Sequence, residues 1–212
     1  MKKITKSHNN LIKNKTLIAV SGYARAGKDT FADALQDIIG QNASVRRFKL
    51  AEPLRVSIKH AFEYLKIKTS PWTEVEEDKN KMRPVLIALG EYARSTDKNI
   101  FAKLAASEID YSLNNGCDIA MITDLRYSNE NKILSELCLR KGYRYHRVHI
   151  VRVGNKPAGT VEKQSVALLL KDGVDIQYVA NDGDLQMIKK FANECIKLLG
   201  DDMRVSLPKD AT

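Results

Sequence analysis

The sequence is short of the residues that define several protein classes. Its three cysteines, Cys117, Cys138 and Cys195, are odd in number, widely spaced and without a C-x-x-C pair. That argues against a disulfide framework or zinc ribbon and for reduced, buried thiols. Of the four histidines, His146 and His149 fall three apart in a strand-like run and would face opposite sides, a poor metal pair. No apolar run approaches the roughly 18–20 residues that span a bilayer. The opening stretch "MKKITKSHNNLIKNK" lacks the apolar middle of a secretory signal, so residues 1–15 read as a disordered basic leader and the cytoplasm as the compartment. Acidic residues are in deficit, giving a net charge of +9. Lys2, Lys3, Lys6, Lys13 and Lys15 in the leader carry more than half of it, so a dedicated nucleic-acid role is not expected.

What is present suits one well-buried α/β domain over residues 16–200, followed by a polar tail, 201–212. "TLIAVSG" (16–22) reads as a buried strand, and "TFADALQDIIG" as a helix with Phe31, Leu35, Ile38 and Ile39 on one face and Gly40 as its stop. A strand at 44–50 leads past Pro53 into a helix over about 54–66. A polar, acidic connection then precedes helices at 82–95 and about 99–114. Strands at 117–123, 145–153 and 176–180 alternate with helices at 128–141 and 184–199. Strands joined by crossover helices imply a mostly parallel sheet covered on both faces. The turns after Val20, Thr123 and Ala180 would then open on one edge, where such sheets gather ligands.

"SGYARAGKDT" nearly matches the phosphate-cradling G-x-x-x-x-G-K-[ST] pattern, with Asp29 where a hydroxyl is expected. Between a strand and a helix, Gly22 and Gly27 would let backbone N–H groups converge on a phosphate, and Lys28 would reach the β- and γ-phosphates. Asp29 suits a hard cation such as Mg²⁺, or serves as a base, or is only a first-turn helix residue favoured by the dipole; Thr30 adds a hydroxyl. "ITDLRYSNE" sets Asp124 just past a strand, then Arg126, then Glu130 in the next helix's first turn. That arrangement would hold metal and phosphate, or be a surface ion pair. On the helix 82–95, Arg83, Gly90 and Arg94 fall on one face, read as opposite the apolar stripe of Met82, Leu86, Leu89 and Ala93. They would bind an anion, or form a solvated face. "ANDGDLQMI" offers Asp182 or Asp184 as a helix cap or ligand contact, and the segment 154–172 would suit a mobile cover.

Together, "SGYARAGKDT", "FKLAEPLR", "RPVLIALGEYAR", "ITDLRYSNE", "HIVRVG" and "NDGDLQMI" resemble, in order and spacing, the phage-type deoxynucleoside monophosphate kinases over about residues 16–199. The resemblance implies a P-loop kinase-type, three-layer α/β/α fold with a mostly parallel central sheet. It adds an acceptor-binding helical region at about 53–115 and a lid at about 154–172. It implies transfer of the γ-phosphoryl group of ATP, with Mg²⁺, to a deoxynucleoside 5′-monophosphate, in a phage protein working in a bacterial cytoplasm, with room for a homodimer. Gly22, Arg25, Ala26, Gly27, Lys28, Asp29 and Thr30 would hold the ATP phosphates, and Asn181, Asp182 and Gly183 would lie near the adenine. Lys28, Asp29, Asp124 and Arg126 would be catalytic. Arg83, Arg94, Arg126 and Glu130 would bind the acceptor, and Asp29, Thr30 and Asp124 the metal. The chain departs from that family in the lid, where "TVEKQSVALL" stands in place of a His-Ser-Glu-like cluster; Arg152 is the candidate lid arginine. Two other readings stay open. One is a P-loop kinase for another small metabolite, such as dephospho-coenzyme A or a phosphomevalonate-like acid. The other is an ATP-binding interaction protein without turnover.

Overall fold

A computed structural model describes residues 15–40, 43–180 and 185–200. Five parallel strands form one sheet in the order β2-β3-β1-β4-β5. They are β1 (Thr16–Ser21), β2 (Val45–Phe48), β3 (Ile119–Leu125), β4 (Arg144–Arg152) and β5 (Ile176–Ala180). The helices are α1 (Lys28–Ile39), α2 (Glu52–Tyr64), α3 (Glu76–Thr96), α4 (Ile100–Asn114), α5 (Ser128–Lys141), α6 (Thr160–Lys171) and α7 (Leu185–Gly200).

The central strand explains the layering. In β1, Leu17, Ile18, Ala19 and Val20 are all fully buried, because a parallel sheet must be covered on both faces. Ile18 and Val20, with Met121, Val148 and Ile150, face α1 and α7. Leu17 and Ala19, with Ala120 and Ile122, face α4 and α5, and Leu169 of α6 joins that second core. The three-layer α/β/α fold expected from the sequence is the one observed. Because β1 lies between β3 and β4, the chain leaves it toward one half of the sheet and reaches the other half later. The crevice at its C-terminal end is therefore the topological switch point, where ligands of such sheets sit.

Several boundaries differ from the sequence reading, each for a physical reason. The acidic stretch after Val75 is helical: α3 begins at Glu76, and Glu76, Glu77 and Asp78 fill its first turn, where carboxylates suit the helix dipole. Pro84 therefore lies inside α3 rather than near its start. Strand β3 runs on to Leu125, so Asp124 is a strand residue and not the first residue of a loop. Lys15 is not part of an unpaired leader; its Nζ sits 3.0 Å from Asp118 Oδ1. Residues 1–14 and the tail 201–212 lie outside the described residues. The segment expected to form a mobile cover contains α6, whose Ser165, Val166 and Leu169 are buried. Among the described residues no helix is long and apolar enough to cross a membrane.

Phe31 is the largest fully buried side chain of α1, and its ring lies 5.7 Å from that of Tyr178, which stacks on Phe191 of α7 at 4.6 Å. Replacing Phe31 by Ala should cost about 3–5 kcal/mol in urea denaturation. A loss below about 1 kcal/mol would mean that this aromatic column does not join α1 to α7.

Candidate active site

The loop between β1 and α1 is held by sterics before any ligand arrives. A Cβ on Gly22 would come within 2.3 Å of the Ile150 carbonyl oxygen on β4, and Gly22 has φ 141°, so only glycine fits. Gly27 caps α1 with φ 92°, and Arg25 stands between them in the left-handed region at φ 62°, unusual for a residue with a side chain. Ala26 is buried beneath the loop. Lys28 Nζ donates to the carbonyls of Gly22 (2.9 Å) and Tyr23 (2.7 Å), which aims the ammonium across the loop mouth. Its pKa is lowered, first by burial and then by the Arg126 charge, against the pull of Asp29, Glu162 and Asp124. A lysine with a depressed pKa at a loop rich in N–H donors is short of anions.

Asp29 and Asp124 come to the same edge by different routes. The Thr123 hydroxyl donates to Asp29 Oδ1 at 3.0 Å, and Lys49 Nζ lies 3.8 Å from the same oxygen. Asp124 accepts the N–H groups of Leu50 (2.9 Å) and Ala51 (3.2 Å), which ties β3 to the chain leaving β2. Burial raises the Asp124 pKa, and these amides, with Arg126 and Lys49, act against the rise. Beside Lys49 opens a cleft of about 470 Å³ lined by Arg46, Arg47, Glu52, Arg55 and Trp72. There Trp72 Nε1 donates to Glu52 at 3.0 Å and Arg55 to the Pro71 carbonyl at 2.7 Å.

The acceptor candidates are divided. Arg94 lies over the rings of Phe101 (4.9 Å) and Tyr127 (5.5 Å), and its charge reaches Glu130. Gly90 is buried; a Cβ there would crowd Arg94 Nη1 at 3.2 Å and Leu54 at 3.4 Å. Gly90 and Arg94 thus face inward on the side of the apolar stripe, not opposite it. Arg83 is exposed, and its Cα is about 16 Å from that of Arg94 along the helix axis. Glu130 is buried with Oε2 accepting the N–H groups of Arg126 (3.1 Å) and Tyr127 (3.0 Å), closing the start of α5. Asn181, Asp182 and Gly183 lie outside the described residues. Among the described residues, no group of three or more His, Cys, Asp or Glu is placed to hold a metal by itself.

Several residues near the loop lie inside the quoted motifs without having been given a role by the sequence. Lys49 and Thr123 reach Asp29. His149 is buried with Nδ1 2.9 Å from the Ser21 hydroxyl, which also donates to the Val148 carbonyl at 3.2 Å. Burial and then Lys28 lower the His149 pKa, so a neutral imidazole underlies the loop. The signal for this pair was its position: Ser21 ends β1, and β4 places His149 directly opposite.

Burial, reinforced by the charge of Asp124, pushes the Glu130 pKa from 4.5 up to about 7 despite its two amide bonds. Folding therefore favours the protonated form; its contribution is complete below about pH 4.5 and is lost as pH rises through about 7. Relative to Glu130→Gln, the wild type should lose up to about 3 kcal/mol of stability across that window. Denaturation curves of the two proteins that stay parallel from about pH 4 to about pH 8 would contradict this.

No curated protein sequence matches the chain. Among solved structures, an APS kinase mutant from Mycobacterium tuberculosis is similar at 12% identity and TM-score 0.47, over 88% of this chain and 97% of that one. A sugar kinase from a Janibacter species is similar at 12% identity and TM-score 0.48, over 90% and 96%. The Deinococcus radiodurans tunicamycin resistance protein is similar at 12% identity and TM-score 0.47, over 88% and 96%. A family model described as phosphomevalonate kinase matches residues 20–140, from the end of β1 through the phosphate loop, α3 and β3 into α5. That is more than half of the sequence and includes both glycines of the loop, Lys28, Asp124 and Arg126; the chain belongs to the phosphomevalonate kinase family.

Proposed function

We propose that this protein is a phosphotransferase that moves the γ-phosphoryl group of ATP onto the phosphate of a small phosphorylated acceptor, a deoxynucleoside 5′-monophosphate. The observation that carries the reading is that the Lys28 ammonium, held by the Gly22 and Tyr23 carbonyls at the loop mouth, has its pKa lowered first by burial and then by Arg126, with Asp29 and Asp124 in the same field. Two phosphates, one from each substrate, would supply the missing negative charge. An acceptor oxygen would attack the γ-phosphorus in line as the bond to the β–γ bridging oxygen breaks, releasing ADP with no enzyme-bound intermediate. Catalysis would come from positioning and charge neutralisation.

Gly22, Arg25, Ala26, Gly27 and Thr30 would cradle the donor phosphates, Lys28 would neutralise them, and Asn181 to Gly183 would lie by the adenine. Arg126 and Arg94 would hold the acceptor phosphate, with Glu130 fixing the turn that presents Arg126. Arg83, distant along α3, would contact another part of the acceptor. The body of the acceptor would enter the cleft beside Lys49, near the single tryptophan, Trp72. Two carboxylates and a hydroxyl, from Asp29, Asp124 and Thr30, are hard donors that fit Mg²⁺ once phosphate oxygens complete the set. Mg²⁺ would supply neutralisation of phosphate charge.

A phosphomevalonate-like acid is the second reading of the acceptor, supported by the family to which the chain belongs. The motifs shared with the deoxynucleotide kinases support the first. Replacing Lys28 by Ala should lower kcat about a thousandfold or more with the fold intact by circular dichroism. Near-normal turnover would sink the donor assignment. Coupled ADP release with dAMP, dCMP, dGMP, dTMP, GMP, dephospho-coenzyme A and phosphomevalonate separates the acceptors. Turnover on deoxynucleotides supports the first reading, and turnover on phosphomevalonate alone replaces it with the second. ATP binding without ADP release on any acceptor would favour a non-catalytic protein.

A further inference from the structure

The loop's unusual conformation has support from a segment more than a hundred residues away. Glu162, in the first turn of α6, divides its carboxylate: Oε2 accepts the Ala158 N–H at 2.6 Å and Oε1 accepts the Ala24 N–H at 3.0 Å. Asn155, in the turn after β4, donates its side-chain amide to the Ala24 carbonyl at 2.8 Å. Arg152, the last residue of β4, donates Nη1 to the Arg25 carbonyl at 3.2 Å. Three backbone groups of Ala24 and Arg25 are therefore held from one side by the segment running from β4 into α6.

The position of these bonds matters. They bracket the left-handed residue Arg25, a conformation that costs roughly 1–2 kcal/mol and persists only where the surroundings over-determine it. A relaxed Arg25 would turn the following peptides, and with them the N–H groups of Gly27 and Lys28, away from a common focus. Placing a carboxylate on the shoulder of an anion-binding loop is electrostatically unfavourable for a phosphate. A group that only capped α6 would have no need to reach the loop.

We infer that Glu162 and Asn155 are positioning residues that clamp the Ala24 peptide groups, fix Arg25 in its left-handed conformation and so preorganise the loop for the donor phosphates. The inference rests on the donor half of the proposed function and is independent of the acceptor. The clamp also makes the α6 segment a sensor of the loop. Nucleotide that orders the loop favours the docked segment, and the docked segment favours nucleotide, by the same factor.

The test uses the full chain and the variants Glu162→Ala, Glu162→Gln, Asn155→Ala and the Glu162→Ala/Asn155→Ala pair. The readouts are the Kd of a fluorescent Mg-ATP analogue, trypsin cleavage after Arg25 followed by mass spectrometry, and thermal melting. Each alanine variant should weaken analogue binding about tenfold and speed cleavage after Arg25. The pair should fall well short of the hundredfold that independent sites would give, because both side chains hold one residue. Glu162→Gln has one acceptor oxygen for two N–H donors; turned so that the oxygen meets the Ala24 N–H and the NH2 faces that of Ala158, it should bind more tightly than Glu162→Ala. Alanine variants that melt earlier but bind and cleave like the wild type would reduce Glu162 to a cap of its own helix and overturn the clamp. Tighter binding by both Glu162→Ala and Glu162→Gln would overturn it differently, by showing that the carboxylate obstructs phosphate. Binding losses in a protein that turns over no acceptor would leave the clamp standing and remove the transferase reading.

Discussion

The Ile150 carbonyl of β4 leaves no space for a Cβ on Gly22, and the whole site is built around that contact. It lets the loop leave β1 flush against the neighbouring strand. From there the backbone passes through a left-handed Arg25 and a left-handed Gly27 before α1 begins. The same path leaves the carbonyls of Gly22 and Tyr23 pointing inward, and those two carbonyls set the direction of Lys28. A displaced β4 would free Gly22, unseat Ser21 from His149 and release the bonds from Arg152 and Asn155 at once. Sheet packing and phosphate chemistry are therefore one mechanical problem here.

Charge is the second constraint, and it is left unbalanced. Lys28, Lys49, Arg94 and Arg126 gather near Asp29, Asp124 and Glu130, yet Lys28 still has a depressed pKa and both Asp124 and Glu130 are pushed up. Opposite shifts on neighbouring cations and anions show that burial, rather than mutual attraction, dominates; well-formed ion pairs would move both kinds of group the other way. Such an arrangement is poor for stability and suited to incoming ions, since the desolvation is already in place before substrate arrives. Neutral His149 beneath the loop fits the same logic, because a second buried cation under Lys28 would add repulsion without a partner.

Local features were legible and distant ones were not. Helix α5 runs from Ser128 to Lys141 and strand β5 from Ile176 to Ala180, as the sequence pattern indicates, because turn residues bound each of them closely. The phosphate loop was readable because its demands for glycine and lysine fall within seven residues. The start of α3 was hidden, since an exposed acidic first turn has no apolar period to detect. The inward face of Gly90 and Arg94 was misjudged because a guanidinium packed over Phe101 and Tyr127 reads as polar in a helical pattern. Glu162, Asn155 and Lys49 reach the site only through the fold; the bond from Ala24 to Glu162 spans 138 positions.

The pattern over residues 20–140 places the chain with phosphomevalonate kinases, and the phosphate loop takes up only a few of those residues. Donor phosphates impose the same local geometry on any such enzyme, so loop motifs record the donor and say little about the acceptor. Acceptor choice would depend on α2, α3 and the cleft at Trp72, where the packing is loose and large apolar residues such as Tyr64, Leu65, Ile87 and Tyr92 remain exposed. Surface of that kind tolerates substitution with little stability cost, so acceptor preference can change while β1, α1 and β3 stay fixed. In this chain the cleft combines Arg46, Arg47, Lys49 and Arg55 with Glu52, Glu74, Glu108 and one indole. With four cations against three carboxylates the cleft has only a small net positive charge, so its selectivity would rest on shape and on the Trp72 ring as much as on charge.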